Sequence, residues 1–288
     1  MRLERQQLGQ YRFLRPLVVG GMSDTYLAET MTIPSRKVAI KILCLTHLLR
    51  SPEPEVERRF LGQIEAISQL QHPFIVPIHD YGQVMLRDES YFYITMPFFS
   101  EGSLREWWKR QLDSKAEPVL PQEVAHMIQQ AADALQYAHD RHIIHQHIQL
   151  SNFLVRSQKD SSLLPDLLLT DFVTTEFGRL SPWPAPFSLS PYIAPEQLRG
   201  KAVPASDQYA LASIAYQLLT GHFCVSLHVR ESPSLSILMV QPPPPSIFQP
   251  HLSSALDTVL LRALSKKSEE RFASITGFSH AFQQAWHI

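Results

Sequence analysis

Apolar positions along the chain change their period about a third of the way in. Over 11–19, Tyr11, Phe13, Leu14, Leu17, Val18 and Val19 lead into Gly20 and Gly21, and Ser23-Asp24-Thr25-Tyr26-Leu27-Ala28 leaves them; this predicts two strands around a glycine turn. Val38, Ala39, Ile40, Lys41, Ile42 and Leu43 predict a third strand. Over 54–71 the spacing turns helical, with Phe60, Ile64, Ile67 and Leu70 on one face. Strands are predicted again at 75–81 and 91–96. Beyond Met96 the period is helical, at 104–112, 121–139, 207–220, 253–263 and 276–286. Pro121 opens the second of these, where its missing N–H is not needed. Gly221 ends the third, whose Tyr209, Leu211, Ile214 and Leu218 leave little polar face, so burial on most sides is predicted. A strand-rich first third, a helix-rich remainder and no internal repeat give an α+β protein of two lobes.

Composition narrows the class further. The chain has 288 residues, 44% apolar and 18% charged, which suits a folded globular protein with length for one large domain or two lobes sharing a cleft. A formal charge of −1 gives no reason to expect nucleic acid or an anionic membrane as the partner. No apolar segment follows Met1-Arg2-Leu3-Glu4-Arg5, and the most apolar later stretch, 163–169, is broken by Pro165 and Asp166, so a cytoplasmic protein without a membrane segment is expected. Two cysteines, Cys44 and Cys224, sit in apolar runs and read as buried free thiols. Pro242 to Pro245 read as a stiff connector rather than a polyproline ligand.

The candidate chemistry lies in four short stretches. His145-Gln146-His147-Ile148-Gln149-Leu150-Ser151-Asn152 runs into the apolar Phe153-Leu154-Val155. Val38-Ala39-Ile40-Lys41 precedes it; Asp171-Phe172-Val173 and Ala194-Pro195-Glu196 follow. In this order they resemble the protein kinase family, in particular the bacterial Ser/Thr kinases of eukaryotic type, over about 8–285. The resemblance implies a bilobal protein-kinase-like fold, with a small β-rich N-lobe and a larger helical C-lobe. It implies a single domain over 1–288, with the N-lobe at about 8–96, a hinge at 97–99 and the C-lobe at about 100–288. It also implies roles. Lys41 would meet ATP phosphates, and Gly20 would belong to the loop covering them. Ala39 and Leu154 would sandwich the adenine, Met96 would be the gatekeeper, and Pro97 and Phe99 would offer the hinge carbonyl and N–H. Asp171 and Asn152 would hold Mg²⁺. Ile67, Ile78, His145 and Phe172 would stack as an internal spine. Glu196 would pair with Arg271, and Asp207 would brace the loop backbone.

Departures from the family fall on the chemistry. His147 stands where the family has its base Asp, and Gln149 where it has the phosphate-steadying Lys. A neutral imidazole has one acceptor nitrogen, and losing a positioned base costs about 10²–10⁴ in rate. Gln63 replaces the helix Glu that pairs with the strand Lys; Glu65 lies roughly 200° around the helix. The glycine loop keeps Gly20, with Gly21 beside it, and Val173 replaces the last glycine of D-F-G. Gln146 replaces an Arg that would read a phosphate on Thr174, Thr175, Ser188 or Ser190. His142, His145 and His147 read as a kinase loop with an added imidazole rather than as a metal cluster, for want of Cys or acidic ligands at suitable spacing. The expected function is that of a catalytically impaired pseudokinase, signalling by contact with a protein partner or an active kinase, with ATP and Mg²⁺ held weakly or not at all. The alternatives are a weakly active or atypical Ser/Thr kinase, and a scaffold that binds no nucleotide.

Overall fold

The computed structural model describes residues 3–20, 23–44, 54–86, 89–115, 119–158, 164–172, 190–225 and 233–286. They fall into two compact units, one built on a sheet, the other mainly on helices. The sheet holds β1 (Gln7–Leu8), β2 (Tyr11–Val18), β3 (Ser23–Thr30), β4 (Lys37–Cys44), β5 (Asp80–Leu86) and β6 (Glu89–Pro97), all antiparallel, in the order β1-β2-β3-β4-β6-β5. α1 (Pro54–Ser68) belongs to the same unit.

Alternation along β4 layers this unit. Val38, Ile40 and Ile42 enter a core with Leu3, Leu8, Tyr11, Phe13, Tyr26 and Tyr91. Phe13 and Tyr26 meet edge to face at 5.4 Å. Ala39, Lys41 and Leu43 therefore project from the other face. The first two predicted strands, the third and the helix at 54–71 are all present. The strand predicted at 75–81 is not: β5 starts at Asp80, and Ile75 makes only a single bridge, to Leu169. Ile75 and Val76 are apolar because they are buried as coil, which a periodicity argument cannot separate from a strand. β1 is too short to show a period.

The second unit holds α2 (Leu104–Lys115), α3 (Pro121–His139), the antiparallel pair β7 (Phe153–Arg156) and β8 (Asp166–Leu169), α4 (Pro195–Leu198), α5 (Pro204–Thr220), α6 (Pro233–Met239), α7 (Ser254–Ala263) and α8 (Ile275–Trp286). α3 packs on α5 and on α8. Every residue of α5 from Ser206 to Thr220 is buried, as its composition predicts. It stops where Gly221 turns left-handed (φ 77°) and donates its N–H to Gln217 O. α6 escaped prediction because it is short and leaves Leu235 and Met239 exposed. Pro243 O accepts from Tyr216 Oη at 3.0 Å, and Pro245 opens a 3₁₀ turn, so the proline run is bound down as a connector. Cys224 is a buried free thiol; the Cys44 side chain and Val173, Thr174, Thr175 and Ser188 lie outside the described residues.

Glu196 and Arg271 form a buried ion pair, Nη1–Oε1 at 2.7 Å and Nη2–Oε2 at 2.8 Å. Ser265 O and Ala205 O take further guanidinium hydrogens, and Ser206 Oγ donates to Glu196 Oε1 at 2.7 Å. Burial pushes the Glu196 carboxyl up, but Arg271 and Ser206 outweigh it, and the carboxyl ends below its usual range.

Candidate functional site

In the sheet unit the candidate residues cluster on β4 and its neighbours. Lys41 is 3% exposed, opposite Thr25 on β3 and Ile94 on β6. It is therefore no surface lysine, and an interior ammonium is costly to bury. Ala39 faces Leu27 and Met96 across the sheet and is buried with both. Pro97 ends β6 opposite Val38, and Phe99 is half-buried in the coil that follows. Gly20 takes φ 123°, a value L side chains rarely adopt, and its N–H donates to Asp24 Oδ1 at 3.1 Å. Gly21 and Met22 lie outside the described residues. On α1, Gln63 is half-buried and Glu65 exposed.

In the helical unit the loop 143–152 is held from behind by one carboxylate. Asp207 is 1% exposed; its Oδ2 accepts His145 N–H at 2.8 Å and His139 Nε2–H at 2.8 Å, and its Oδ1 accepts Gln146 N–H at 2.7 Å. Gln146 sits in the left-handed region (φ 64°), which a non-glycine residue holds only when its surroundings impose it. They do so at both ends, because Gln197 Nε2 donates to Gln146 O at 2.7 Å. Gln197 Oε1 in turn accepts Ala194 N–H at 3.0 Å, which ties α4 to the loop.

His145 is fully buried. Its Nε2 donates to Thr170 O at 2.8 Å, so its Nδ1 is the acceptor for His147 N–H at 3.3 Å and the ring is neutral. It leans on Phe172 with ring centroids 4.6 Å apart. A ring so used is a packed core histidine, as the family pattern implies, and has no lone pair left for a metal.

Asn152 is 3% exposed, and its Nδ2 donates to His147 O at 2.8 Å and lies 3.2 Å from His147 Nδ1. Gln149 Nε2 donates to Asn152 Oδ1 at 3.4 Å and rests 3.2 Å from His147 Nε2. Ser151 Oγ also reaches Asn152 Oδ1, at 3.4 Å. A neutral imidazole accepts at one nitrogen only, and the His147 carbonyl fixes which way the Asn152 amide points; Nδ1 therefore accepts, and the Gln149 contact at Nε2 is packing. The three side chains form a hydrogen-bonded group without a carboxylate.

Asp171 stands beside them. Phe153 pairs with Leu169, and Thr170 N–H donates to Asn152 O at 2.9 Å, which brings Asp171 next to the loop end. It is half-buried in the left-handed conformation, φ 69°, which Asp tolerates better than most residues. A carboxylate there suits a hard divalent ion. Leu154 is half-buried on β7, opposite Leu168 and bridged to Ser103. Sequence reasoning missed His139, Gln197 and Asp24. Gln197 had a weak signal, since it directly follows Ala194-Pro195-Glu196; His139 and Asp24 had none.

These two units, with a lysine-bearing β4 in one and a buried-histidine loop braced by Asp207 in the other, are those of a protein kinase. The protein kinase domain model matches residues 11–287, and the chain belongs to that family. It is 35% identical over 289 residues to the serine/threonine-protein kinase Pkn1 of Myxococcus xanthus, covering 96% of this chain and 38% of that protein. It is 29% identical to PrkC of Bacillus subtilis, covering 92% and 38%. The chain thus spans about two fifths of these relatives' length. Among solved structures, the PknI kinase domain of Mycobacterium tuberculosis matches with a TM-score of 0.76 at 27% identity, covering 100% of both chains. The bilobal α+β expectation and the bacterial Ser/Thr-kinase likeness both hold. No helix among the described residues is long and apolar enough to cross a membrane.

Proposed function

We propose that this chain is a single pseudokinase domain over 1–288, which binds ATP weakly and signals by contact with a protein partner rather than by phosphoryl transfer. The observation that carries the reading is the neutral group at 147–152. A kinase needs there a carboxylate to orient the substrate hydroxyl and a cation for the transferred phosphate. This chain has an imidazole and a carboxamide, and both are engaged with Asn152. Losing one such group costs about 10²–10⁴ in rate, and the two losses need not add.

Nucleotide binding is supported by what remains: the interior Lys41, the small Ala39 beside Met96, the hinge carbonyl of Pro97 and N–H of Phe99, Gly20 at its permissive φ, Leu154 and Asp171. Bound nucleotide with Mg²⁺ would supply the transferable phosphate in an active relative. Here Lys41 would neutralise phosphate charge, and Asp171 would hold the ion. A cytoplasmic location goes with this reading.

A weakly active or atypical Ser/Thr kinase is the second reading, favoured by the retention of Lys41, Asn152 and Asp171 and by the printed names of the relatives. Two measurements separate the readings. A thermal shift with ATP tests binding, since a ligand of the native state raises its melting temperature. Transfer of labelled γ-phosphate, with Lys41→Met as blank, tests chemistry. The proposal expects a shift without transfer, and transfer appearing in His147→Asp plus Gln149→Lys. Transfer by the unmodified chain above the blank refutes it.

A further inference from the structure

Lys266 lies in the bend between α7 and a 3₁₀ turn at Ser268–Glu270, next to a second lysine, Lys267. The two ammonium groups meet different surroundings. Lys267 is exposed, and its Nζ pairs with Glu270 Oε1 at 3.2 Å. Lys266 is partly buried; its Nζ lies 3.4 Å from Tyr209 Oη and 5.7 Å from the centroid of that ring. It takes part in no ion pair among the described residues.

Its neighbours do little for a cation. Arg271 already stands over the Tyr209 ring, its guanidinium carbon 5.0 Å from the centroid. Glu196, the carboxylate of this region, is taken up by both Nη groups of Arg271 and by Ser206 Oγ. Cys224 is a buried thiol that reaches Ser213 Oγ at 3.4 Å, and burial raises its pKa. Lys266 thus has a phenol, a thiol and a second cation around it, and one long hydrogen bond. Burial holds its pKa down at about 8, with Arg271 pushing the same way and Cys224 the other. A desolvated lysine beside another cationic group is a nucleophile near neutrality, because its lone pair is no longer tied up by a proton.

We infer that Lys266 is a site of N-acylation by small activated acyl donors, acyl phosphates or acyl thioesters. The Nζ lone pair attacks the acyl carbonyl carbon and the C–N bond forms. The C–O or C–S bond to the leaving group breaks, its electron pair departing on phosphate or thiolate, and the amine's proton passes to that group or to solvent. The product suits the site. An amide is neutral, so it removes the unpaired charge from beside Arg271, and it keeps an N–H for Tyr209 Oη. The inference is independent of the nucleotide reading, since none of these groups belongs to the loop 143–152.

The test is acetylation of the whole chain by limiting acetyl phosphate and, separately, by a small acetyl thioester such as S-acetyl-N-acetylcysteamine, near pH 7.5. Fragment-ion mass spectrometry tells position 266 from position 267. Lys266 should react about fivefold or more faster than Lys267, because each pKa unit below the ordinary lysine value raises the free amine about tenfold, and only part of that gain is given back in nucleophilicity and access. The Lys266 rate should level off above about pH 9, while that of Lys267 keeps rising. In concentrated urea the two should react alike, since the fold makes the difference. A preference for Lys266 with either donor upholds the inference and says which donor class serves the site. Equal or slower reaction of Lys266 with both donors overturns it. So does a preference that survives in urea, or a Lys266 rate that climbs in step with Lys267 to pH 10.

Discussion

Replacing Asp207 by Asn probes the brace on which the whole loop depends. Its two oxygens take three hydrogen bonds, from His145 N, His139 Nε2 and Gln146 N, at 2.7–2.8 Å. The amide keeps one oxygen. The cheaper orientation leaves that oxygen at the Oδ2 position, where two donors converge, and sets the NH₂ group against Gln146 N–H. One charge-assisted bond is lost, about 1.5–3 kcal/mol, and a buried donor is left facing a donor. The two remaining bonds lose their charge assistance, roughly half their strength. The sum is about 3–5 kcal/mol, or a melting temperature lower by about 6–15 °C for a chain of this size. His139→Ala removes a single donor and leaves the carboxylate with two, so it should cost only about 1–2 kcal/mol. Urea melts of the three proteins give the ranking, and hydrogen exchange at the His145 and Gln146 amides localises the damage. A cost below about 1 kcal/mol for Asp207→Asn, or one no larger than that of His139→Ala, would refute the reasoning.

Four further outcomes come from other parts of the molecule. Arg271→Met leaves Glu196 with no cation in a site where both side chains are nearly closed off, and should destabilise by about 3–5 kcal/mol in chemical denaturation. The lowered Glu196 pKa means that its contribution is present above the unfolded carboxyl range and lost as pH falls through the folded value; melting temperature should therefore drop on acidification, and less steeply in Glu196→Gln. Lys266, held down to about 8 by burial, sheds its proton in the native state before it does in the unfolded chain, so its unfavourable contribution is relieved between pH 8 and 10.5; any stability advantage of Lys266→Met at pH 7 should shrink by pH 10. Gly102→Ala places a Cβ 2.2 Å from Glu106 Oε2 at a φ of 77°, which breaks the Ser103 N–H bond to Glu106 at the start of α2; a loss of about 1–3 kcal/mol is expected in the same melts.

Periodicity and motif order together made the architecture legible. α3 and α8 fall within a residue of their predicted bounds, because an amphipathic helix records its own burial in its spacing. Lys41, Asp171, Asn152 and the substitutions at 147 and 149 could be named from sequence, since those motifs are short and contiguous. What stayed hidden were relations across the chain. Gln197 and Gln146 are joined by a 2.7 Å bond, and His139 shares the Asp207 carboxylate, 68 residues away, that the family pattern had assigned to the loop backbone alone. A local pattern carries no trace of such partners.

From its sequence the chain is committed to a family, to an α+β division and to an imidazole at 147 and a carboxamide at 149, because residue identity settles those directly. Its tertiary structure alone decided that Lys41 is interior, that Ile75 lies in buried coil, and that the Asn152 amide donates to the His147 carbonyl. The physical reason is that a carboxamide's chemistry depends on which lone pairs and hydrogens its neighbours have already taken, and those neighbours are set in place by packing around Asp207 and the β7–β8 pair.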